Sequence, residues 1–342
     1  MKTTLRVAVV SCAAVAALAF ASNALATQRL AVSQTATGVT IKVSQDQSDP
    51  QPAKIATYLP AGYTLKPTGA VGATIGTASG QVFATDPNVN LALNGSGSVL
   101  VADESKLPAA QVSACSPGPH LAVWDVHLTV FGQALDLYVY VAATSGAETA
   151  LGTAKLEVCL PPVDVPVGTP GRAPNGAKLL DATFTVNNQM ALPVGSKRWT
   201  SLWTPYAAGT GLPDTAATVE ARSVVGQGAV TIVGKVTSRL RKLLLITGRV
   251  TQSGLPVTNI RVRLFINSKA RFATTTHSNG AYSFRLQNTR RRMTTSFFQA
   301  VVSVAARDIT GTACTDPTPG AKCVSATASQ FAATSRKIRV RL

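Results

Sequence analysis

Three histidines are the residues best suited to acid–base or metal chemistry in this 342-residue chain, and they are scattered rather than grouped in a ligand motif. The chain has no His-Glu-x-x-His motif, and none of His120, His127 and His277 has an acidic residue three positions later. It also lacks a Gly-x-Ser-x-Gly nucleophile elbow and a phosphate-binding loop followed by Lys-Ser/Thr. We therefore expect no enzymatic activity, no bound metal and no cofactor.

One of these histidines has a carboxylate close by in the sequence. His127 lies two residues from Asp125, and it would face Tyr138 across a hairpin if the chain turns at 132–133. A Ser-His-Asp or metal-binding role requires further partners that the sequence does not place. We interpret these side chains as part of a half-exposed polar face. A secreted hydrolase with a site built from N-terminal loops stays an alternative.

The basic residues are concentrated in the last third of the chain. The formal net charge is +17. Residues 27–234 contain 11 Lys/Arg and 13 Asp/Glu, whereas residues 235–342 contain 19 Lys/Arg and 2 Asp/Glu. An ordinary solvated surface mixes both signs, so this imbalance favours a binding role over a face that is only kept soluble by charge.

Many of these cations alternate with aliphatic residues, as in strands that bury one face. Arginine pairs with phosphate and carboxylate groups through its planar fork of donors. The pattern predicts a surface for a phosphate-bearing wall polymer, lipopolysaccharide or acidic polysaccharide. Export and the lack of interleaved aromatic residues argue against nucleic acid. The candidate polyanion-binding residues are Arg239, Arg241, Arg261, Arg263, Arg290, Arg291, Arg292, Lys337, Arg339 and Arg341.

A group of aromatic residues lies in a region rich in Gly and Pro. Trp199, Trp203 and Tyr206 could stack on sugar rings, as aromatic platforms do, and would then form a glycan-binding site. They could equally plug the end of a β-sandwich. We favour the second interpretation.

Four cysteines follow the N-terminal segment: Cys115, Cys159, Cys314 and Cys323. An even number in an exported chain predicts two disulfide bonds. No Cys-x-x-Cys spacing indicates a metal site. Three pairings are possible, and the local one, which joins the first two cysteines and the last two, keeps each bond inside one predicted domain.

Short runs rich in Val, Thr, Leu and Tyr, separated by Gly/Pro/Asn/Asp clusters, predict an all-β chain of tandem sandwiches. Residues 123–142 alternate apolar and polar side chains around a turn at Gly132, which predicts an antiparallel hairpin. Residues 161–176 contain five prolines, and proline cannot donate a ladder hydrogen bond. This stretch is either a seam between two small domains or a crossover within one larger domain.

The last hundred residues predict a separate sandwich. Asn279-Gly280 stands between two of its strand-like runs and is the strongest hairpin signal of the chain. The predicted strands cover residues 243–251, 260–267, 271–276, 281–286, 298–306 and 335–342.

Four segments of this unit follow the order of a known family: ITGRV (246–250), GLPV (254–257), VRL (262–264) and THSNGAYSF (276–284). They resemble the carboxypeptidase regulatory-like module, a transthyretin-like β-sandwich of the carbohydrate-binding-like fold group. The resemblance implies turns formed by the glycines and the proline, and a core filled by Val, Tyr and Phe. It further implies a role in folding, spacing or adhesion beside other domains, and some relatives bind glycans. The high Arg content and the loop between the last two cysteines depart from the family pattern.

Residues 1–26 have the features of a secretory signal: a short basic start, an apolar Ala/Val-rich stretch and a small-x-small cleavage site at its end. No later stretch predicts a transmembrane helix. We expect an N-terminal β-sandwich region over residues 27–236 and an immunoglobulin- or transthyretin-like sandwich over residues 237–342. We interpret the chain as an exported, non-catalytic structural or adhesive protein of the bacterial cell envelope whose basic domain binds an anionic polymer. A carbohydrate-binding protein is the first alternative.

Overall fold

The computed structural model describes residues 27–86, 91–130, 133–193, 195, 197–238, 243–287 and 295–341. Two groups of predictions lie outside these residues: the signal over residues 1–26, and the basic residues Arg239, Arg241, Arg290, Arg291 and Arg292. None of the described helices has the length and hydropathy needed to cross a membrane.

Strands dominate the described chain, as its β-branched and alternating sequence predicts. The elements before residue 226 are β1 (Arg29–Gln34), β2 (Gly38–Ser44), β3 (Pro52–Leu59), β4 (Thr64–Leu65), β5 (Thr74–Ala84), β6 (Leu91–Val101), α1 (Ala109–Cys115), β7 (Ala122–Val130), β8 (Gln133–Ala143), β9 (Ala154–Cys159), β10 (Lys178–Asn187), β11 (Met190–Ala191), β12 (Lys197–Pro205) and β13 (Val219–Val225). The later elements are β14 (Gly228–Val230), β15 (Val233–Ser238), β16 (Leu243–Gln252), β17 (Leu255–Pro256), β18 (Arg261–Ile266), β19 (Lys269–Thr275), β20 (Ala281–Gln287), β21 (Thr295–Val304), β22 (Arg307–Asp308), α2 (Thr310–Ala313), β23 (Lys322–Ala328), β24 (Phe331–Thr334) and β25 (Ile338–Arg341). Short 3-10 helices occur at Glu104–Lys106, Gly146–Ala150, Pro174–Gly176 and Thr215–Ala217.

The first lobe is one thirteen-stranded sheet that folds over its own core. The strand order is β1-β2-β10-β5-β6-β7-β8-β9-β3-β12-β13-β23-β22. The sheet curls so that its first strand lies beside β13 and β23: the Val32 amide donates to Ser223 Oγ at 2.8 Å, and Thr327 Oγ1 donates to the Leu30 carbonyl at 2.6 Å. Apolar side chains from the eleven strands from β1 to β13 in the strand order thereby pack against one another in one core.

The predicted hairpin over residues 123–142 is confirmed as β7 and β8. Trp124 lies opposite Val139 and Val126 lies opposite Leu137, and three of these four side chains are buried in the core. The register places Val130 opposite Gln133. Alternate side chains of both strands therefore point away from the core, to the outer face of the sheet.

The proline-rich stretch 161–176 contains no strand and connects β9 to β10. These two strands belong to the same sheet but are not neighbours in it, since β9 pairs with β8 and β3 while β10 pairs with β2 and β5. Within the described residues, this stretch therefore links two non-neighbouring strands of one sheet.

The second lobe is a two-sheet sandwich. One sheet has the order β14-β16-β15 with β17 and β20 also on β16; the other has the order β19-β18-β21-β24 with β25 also on β21. Leu244, Ile246 and Phe284 of the sheet around β16 pack with Val262 and Phe298 of the sheet around β21 in a separate apolar core. The all-β class with tandem sandwiches is therefore confirmed.

The hairpin predicted at Asn279-Gly280 is wrong. Strand β19 pairs with β18 and strand β20 pairs with β16, so the turn between them carries the chain from one sheet to the other. Gly280 is needed there for a different reason: its φ is +74°, and a Cβ would lie 2.5 Å from the Val250 carbonyl oxygen.

The chain returns to the first lobe near its end, which the predicted division at residue 236 did not anticipate. Strand β23 pairs in parallel with β13, and β22 pairs with β23, so residues 307–328 extend the first sheet. Strands β24 and β25 then rejoin the second lobe. We use the name return segment for residues 307–328.

Two disulfide bonds join Cys115 to Cys159 and Cys314 to Cys323. The local pairing is thus the one that the structure contains. The second bond closes a loop of the return segment and therefore lies on the first lobe, because α2 and β23 on either side of it pack there.

Candidate functional site: a basic sheet face

Charge is divided between the lobes more completely than the sequence boundary indicates. After Glu220 the chain contains two acidic residues, Asp308 and Asp316, and both belong to the return segment. The second lobe, residues 228–306 and 329–342, contains 17 Lys/Arg and no Asp/Glu. Its cations therefore have no acidic neighbour on their own lobe.

Strands β18 and β25 present cations from the same sheet. Both pair with β21, one on each side of it. On β18 the exposed Arg261 and Arg263 alternate with the buried Val262 and Leu264. This alternation places one face of the strand in the core and directs the guanidinium groups of the other face outward.

The other end of the face has the same construction. On β25 the exposed Arg339 and Arg341 alternate with Ile338 and Val340, which pack against the core. Lys337, just before the strand, is also exposed. The predicted basic surface thus contains the five described residues, which we call the basic face: Arg261, Arg263, Lys337, Arg339 and Arg341.

The register across β21 sets the spacing of the two arginine pairs. Arg263 lies opposite Val301, and Arg339 lies opposite Phe297, four residues earlier on β21. With about 3.3 Å per residue along a strand and about 4.8 Å between strands, the two positions are about 13 Å apart along β21 and about 10 Å apart across it. The face is therefore extended rather than a single small anion site.

A groove separates the two arginine pairs. It has a volume of about 340 Å³, and Phe297, which is 48% exposed, forms part of its wall. Lys337 supplies a cation at its rim, while the Gln299 amide donates to the Ser335 carbonyl at 3.0 Å. The lining residues are Phe265, Asn267, Ser268, Phe297, Gln299 and Lys337.

The cations of the basic face are not neutralised by acids of the first lobe. The salt bridges of the described residues involve Lys54, Lys155, Arg172, Arg198 and Arg222 as basic partners besides histidine, and all of these belong to the first lobe. Further cations, Lys235 and Arg285, lie on the outer side of the opposite sheet. Positive charge is thus presented on both sheets of the lobe.

The aromatic group proposed for sugar stacking lies mostly in the core, which corrects that alternative. Trp199 is 0% exposed and Trp203 is 2% exposed, because both are inward-facing residues of β12, a central strand of the first sheet. The Tyr206 hydroxyl donates to the Leu160 carbonyl at 2.7 Å. The interpretation that these rings fill the sandwich fits their burial.

The sequence interpretation of His127 has the wrong cross-strand partner. His127 lies opposite Asp136, and Tyr138 lies opposite Asp125. His127 Nδ1 and Asp136 Oδ1 are 2.5 Å apart. A turn at 132–133 would pair His127 with Tyr138, whereas the observed register pairs it with Asp136, two residues earlier on β8. A shift of two residues leaves every side chain on its expected face of the sheet, but it changes the partner, and Asp136 was missed for this reason.

No protein-family model and no curated protein sequence matches the chain. Among solved structures, it is similar to the D00-D0 domain of intimin, with 12% identity and a TM-score of 0.22 over 46% of this chain and 71% of that one. It is also similar to the D0-D1 domain of intimin, with 8% identity and a TM-score of 0.20 over 92% of this chain and 95% of that one. At such TM-scores neither likeness carries an argument about this chain.

Proposed function

We propose that this chain is a non-catalytic structural or adhesive protein of the bacterial cell envelope whose second lobe binds an anionic polymer through the basic face. The observation that carries the proposal is the acid-free lobe: 17 basic residues, no acidic ones, and two arginine pairs on one sheet. Export through the 1–26 signal and a carboxypeptidase regulatory-like module as the second lobe belong to the same proposal.

The geometry suits a repeating anion better than a single small one. Each guanidinium presents a planar fork that matches phosphate and carboxylate oxygens. The pairs Arg261/Arg263 and Arg339/Arg341 are about 13 Å apart along the sheet and about 10 Å apart across it, which is farther than one phosphate or carboxylate group extends. A chain of phosphate or carboxylate groups can contact both pairs at once, and each contact releases condensed counterions.

The experiment measures retention of the secreted protein on immobilised heparin and on purified anionic wall polymer. The test variant replaces Arg261, Arg263, Arg339 and Arg341 by Ala. The matched control replaces four exposed cations of the first lobe by Ala, which removes the same net charge: Arg29, Lys42, Lys66 and Lys106.

We expect the test variant to elute from both columns at much lower salt than the wild type, while the control variant elutes close to the wild type. Equal elution of the two variants would show that retention depends on net charge alone. It would remove the support for a specific face.

Carbohydrate binding is a second candidate because the groove on this face combines an exposed ring with amide groups. Phe297 is half exposed beside Lys337 and Gln299. Apolar faces of sugars stack on such rings. Phe297→Ala should then weaken binding of a neutral oligosaccharide, which the four-arginine variant would leave unchanged.

A further inference from the structure

The outer face of the β7–β8 hairpin carries a group of metal-ligating side chains in the first lobe. Asp125 and His127 are two residues apart on β7, so they point to the same face, and Asp136 lies directly opposite His127 on β8. One possible ligand atom from each of the three side chains lies within 4.8 Å of the others. A tetrahedral zinc ion holds such atoms about 3.4 Å apart, so small side-chain rotations suffice.

The group has an excess of carboxylate charge. His127 Nδ1 is hydrogen-bonded to Asp136 Oδ1 at 2.5 Å. The imidazole is therefore paired with one of the two carboxylates, and Asp125 is left without this partner. Asp125 Oδ1 is buried and has no hydrogen-bond partner among the described residues. No lysine or arginine of the described chain forms a salt bridge with Asp125 or Asp136.

The scaffold beneath the group is rigid. Strands β7 and β8 lie in the middle of the first sheet, between β6 and β9. Trp124 and Val126, which flank Asp125 on the chain, are buried in the core and hold the strand in position. Ligands on paired central strands keep their relative positions better than ligands on loops.

We propose that Asp125, His127 and Asp136 bind a divalent transition-metal ion of the zinc type, with one position left for water. An imidazole nitrogen with two carboxylate oxygens is a donor set that zinc accepts, whereas calcium and magnesium favour oxygen-only sites. A bound metal ion would give the Asp125 carboxylate the cationic partner that it does not have among the described residues. When the metal binds at Nδ1, the neutral imidazole carries its proton on Nε2, and the Asp136 oxygen exchanges its hydrogen bond to His127 for a bond to the metal. The site lies on the first lobe and does not depend on polymer binding by the second.

The test measures Zn²⁺ binding by the secreted full chain with calorimetry, after removal of metal by a chelator and dialysis. We expect one equivalent per chain. His127→Ala and Asp136→Asn should each weaken the affinity about 100-fold or more, since even outer residues of metal sites contribute 10- to 100-fold. The matched controls are His277→Ala and Asp46→Asn, which replace an exposed histidine and an exposed carboxylate elsewhere.

Two further readouts separate a lost ligand from a lost fold. Zn²⁺ should raise the melting temperature of the wild type and of both controls but not of His127→Ala, whose metal-free melting temperature should stay near that of the wild type. Co²⁺ should give visible absorption bands with the wild type and with both controls, but not with His127→Ala. If His127→Ala does not fold, Asp125→Asn takes its place in both measurements. Absence of binding by the wild type, or equal affinity for the ligand variants and controls, would overturn the proposal.

Discussion

Arg222 and Asp316 form an ion pair, with Nη1 and Oδ1 2.7 Å apart, that attaches the return segment to strand β13. Arg222 also donates to the Ala313 carbonyl at 2.7 Å, and its Nε donates to Glu220 Oε1 at 2.5 Å. The other Glu220 oxygen accepts from the Thr318 amide at 2.7 Å. The segment that contains the last two acids is thereby held on the first lobe, and the second lobe is left without negative charge.

Removing Arg222 should destabilise the protein strongly. Arg222 is 1% exposed and Glu220 is 0% exposed, so Arg222→Ala leaves a buried carboxylate without its cation. Breaking a buried pair in this way costs about 3–5 kcal/mol. The measurement is urea unfolding at neutral pH. Asp316→Asn is the control: its side chain is 66% exposed, so the loss should be about 1 kcal/mol or less. Similar losses for both variants would contradict the assigned roles.

The two disulfide bonds should contribute unequally to stability. The bond between Cys115 and Cys159 spans 44 residues, and the bond between Cys314 and Cys323 spans 9. Loop-closure entropy gives about 4 kcal/mol for the long loop and about 3 kcal/mol for the short one. Double Cys→Ser variants of each pair, unfolded in urea, check this order. Polymer retention should be unchanged in the Cys314/Cys323 variant, because that loop lies on the first lobe. A loss of retention there would show that the loop supports the basic face.

Gln252 joins the two lobes through a buried amide. Its Nε2 donates to the Ser329 carbonyl at 2.9 Å and to the Gly226 carbonyl at 3.1 Å, and its Oε1 accepts from Arg307 at 2.8 Å. Gln252→Leu leaves these groups unpaired, at about 1–3 kcal/mol for a buried polar group. We expect reduced stability in urea. We also expect faster proteolysis near residues 226 and 329, where the chain passes from the first lobe to the second. A variant with wild-type stability and proteolysis would mean that the junction is held by other contacts.

The stability of the metal-free protein should fall as Asp125 ionises. Its folded pKa of about 6 lies above the usual unfolded value of about 3.9, so the folded state binds the proton more tightly. The stabilisation is complete below about pH 4 and is lost as the pH rises through 6. Asp125→Asn should therefore match the wild type at pH 4 and exceed it by about 1–2 kcal/mol at pH 7.5, after a reduction for solvent screening. Urea unfolding in chelator measures this. Parallel pH curves would contradict it.

Local alternation was sufficient to predict the hairpin β7–β8 and the outward direction of Arg261, Arg263, Arg339 and Arg341, because a period of two fixes which face each side chain takes. It could not give the exact register. The partner of His127 changed from Tyr138 to Asp136 when the turn moved by one residue. The candidate metal group was missed for this reason alone.

Long-range topology was not accessible from local signals. Asn279-Gly280 indicates a turn, but it does not indicate which sheet the next strand joins. The return of β23 to β13 depends on contacts such as Arg222 with Asp316, which are 94 residues apart. The burial of Trp199 and Trp203 likewise follows from the position of β12 inside the sheet rather than from the Gly- and Pro-rich sequence around it.

The most direct test of the central claim is the salt dependence of polymer affinity. Binding of the full chain to a soluble anionic wall polymer is measured at several salt concentrations for the wild type, the Arg261/Arg263/Arg339/Arg341→Ala variant and the four-site control from the first lobe. If the basic face contacts the polymer, the slope of log affinity against log salt should be smaller by about 3 in the four-arginine variant and nearly unchanged in the control. Equal slopes for the two variants would contradict the account.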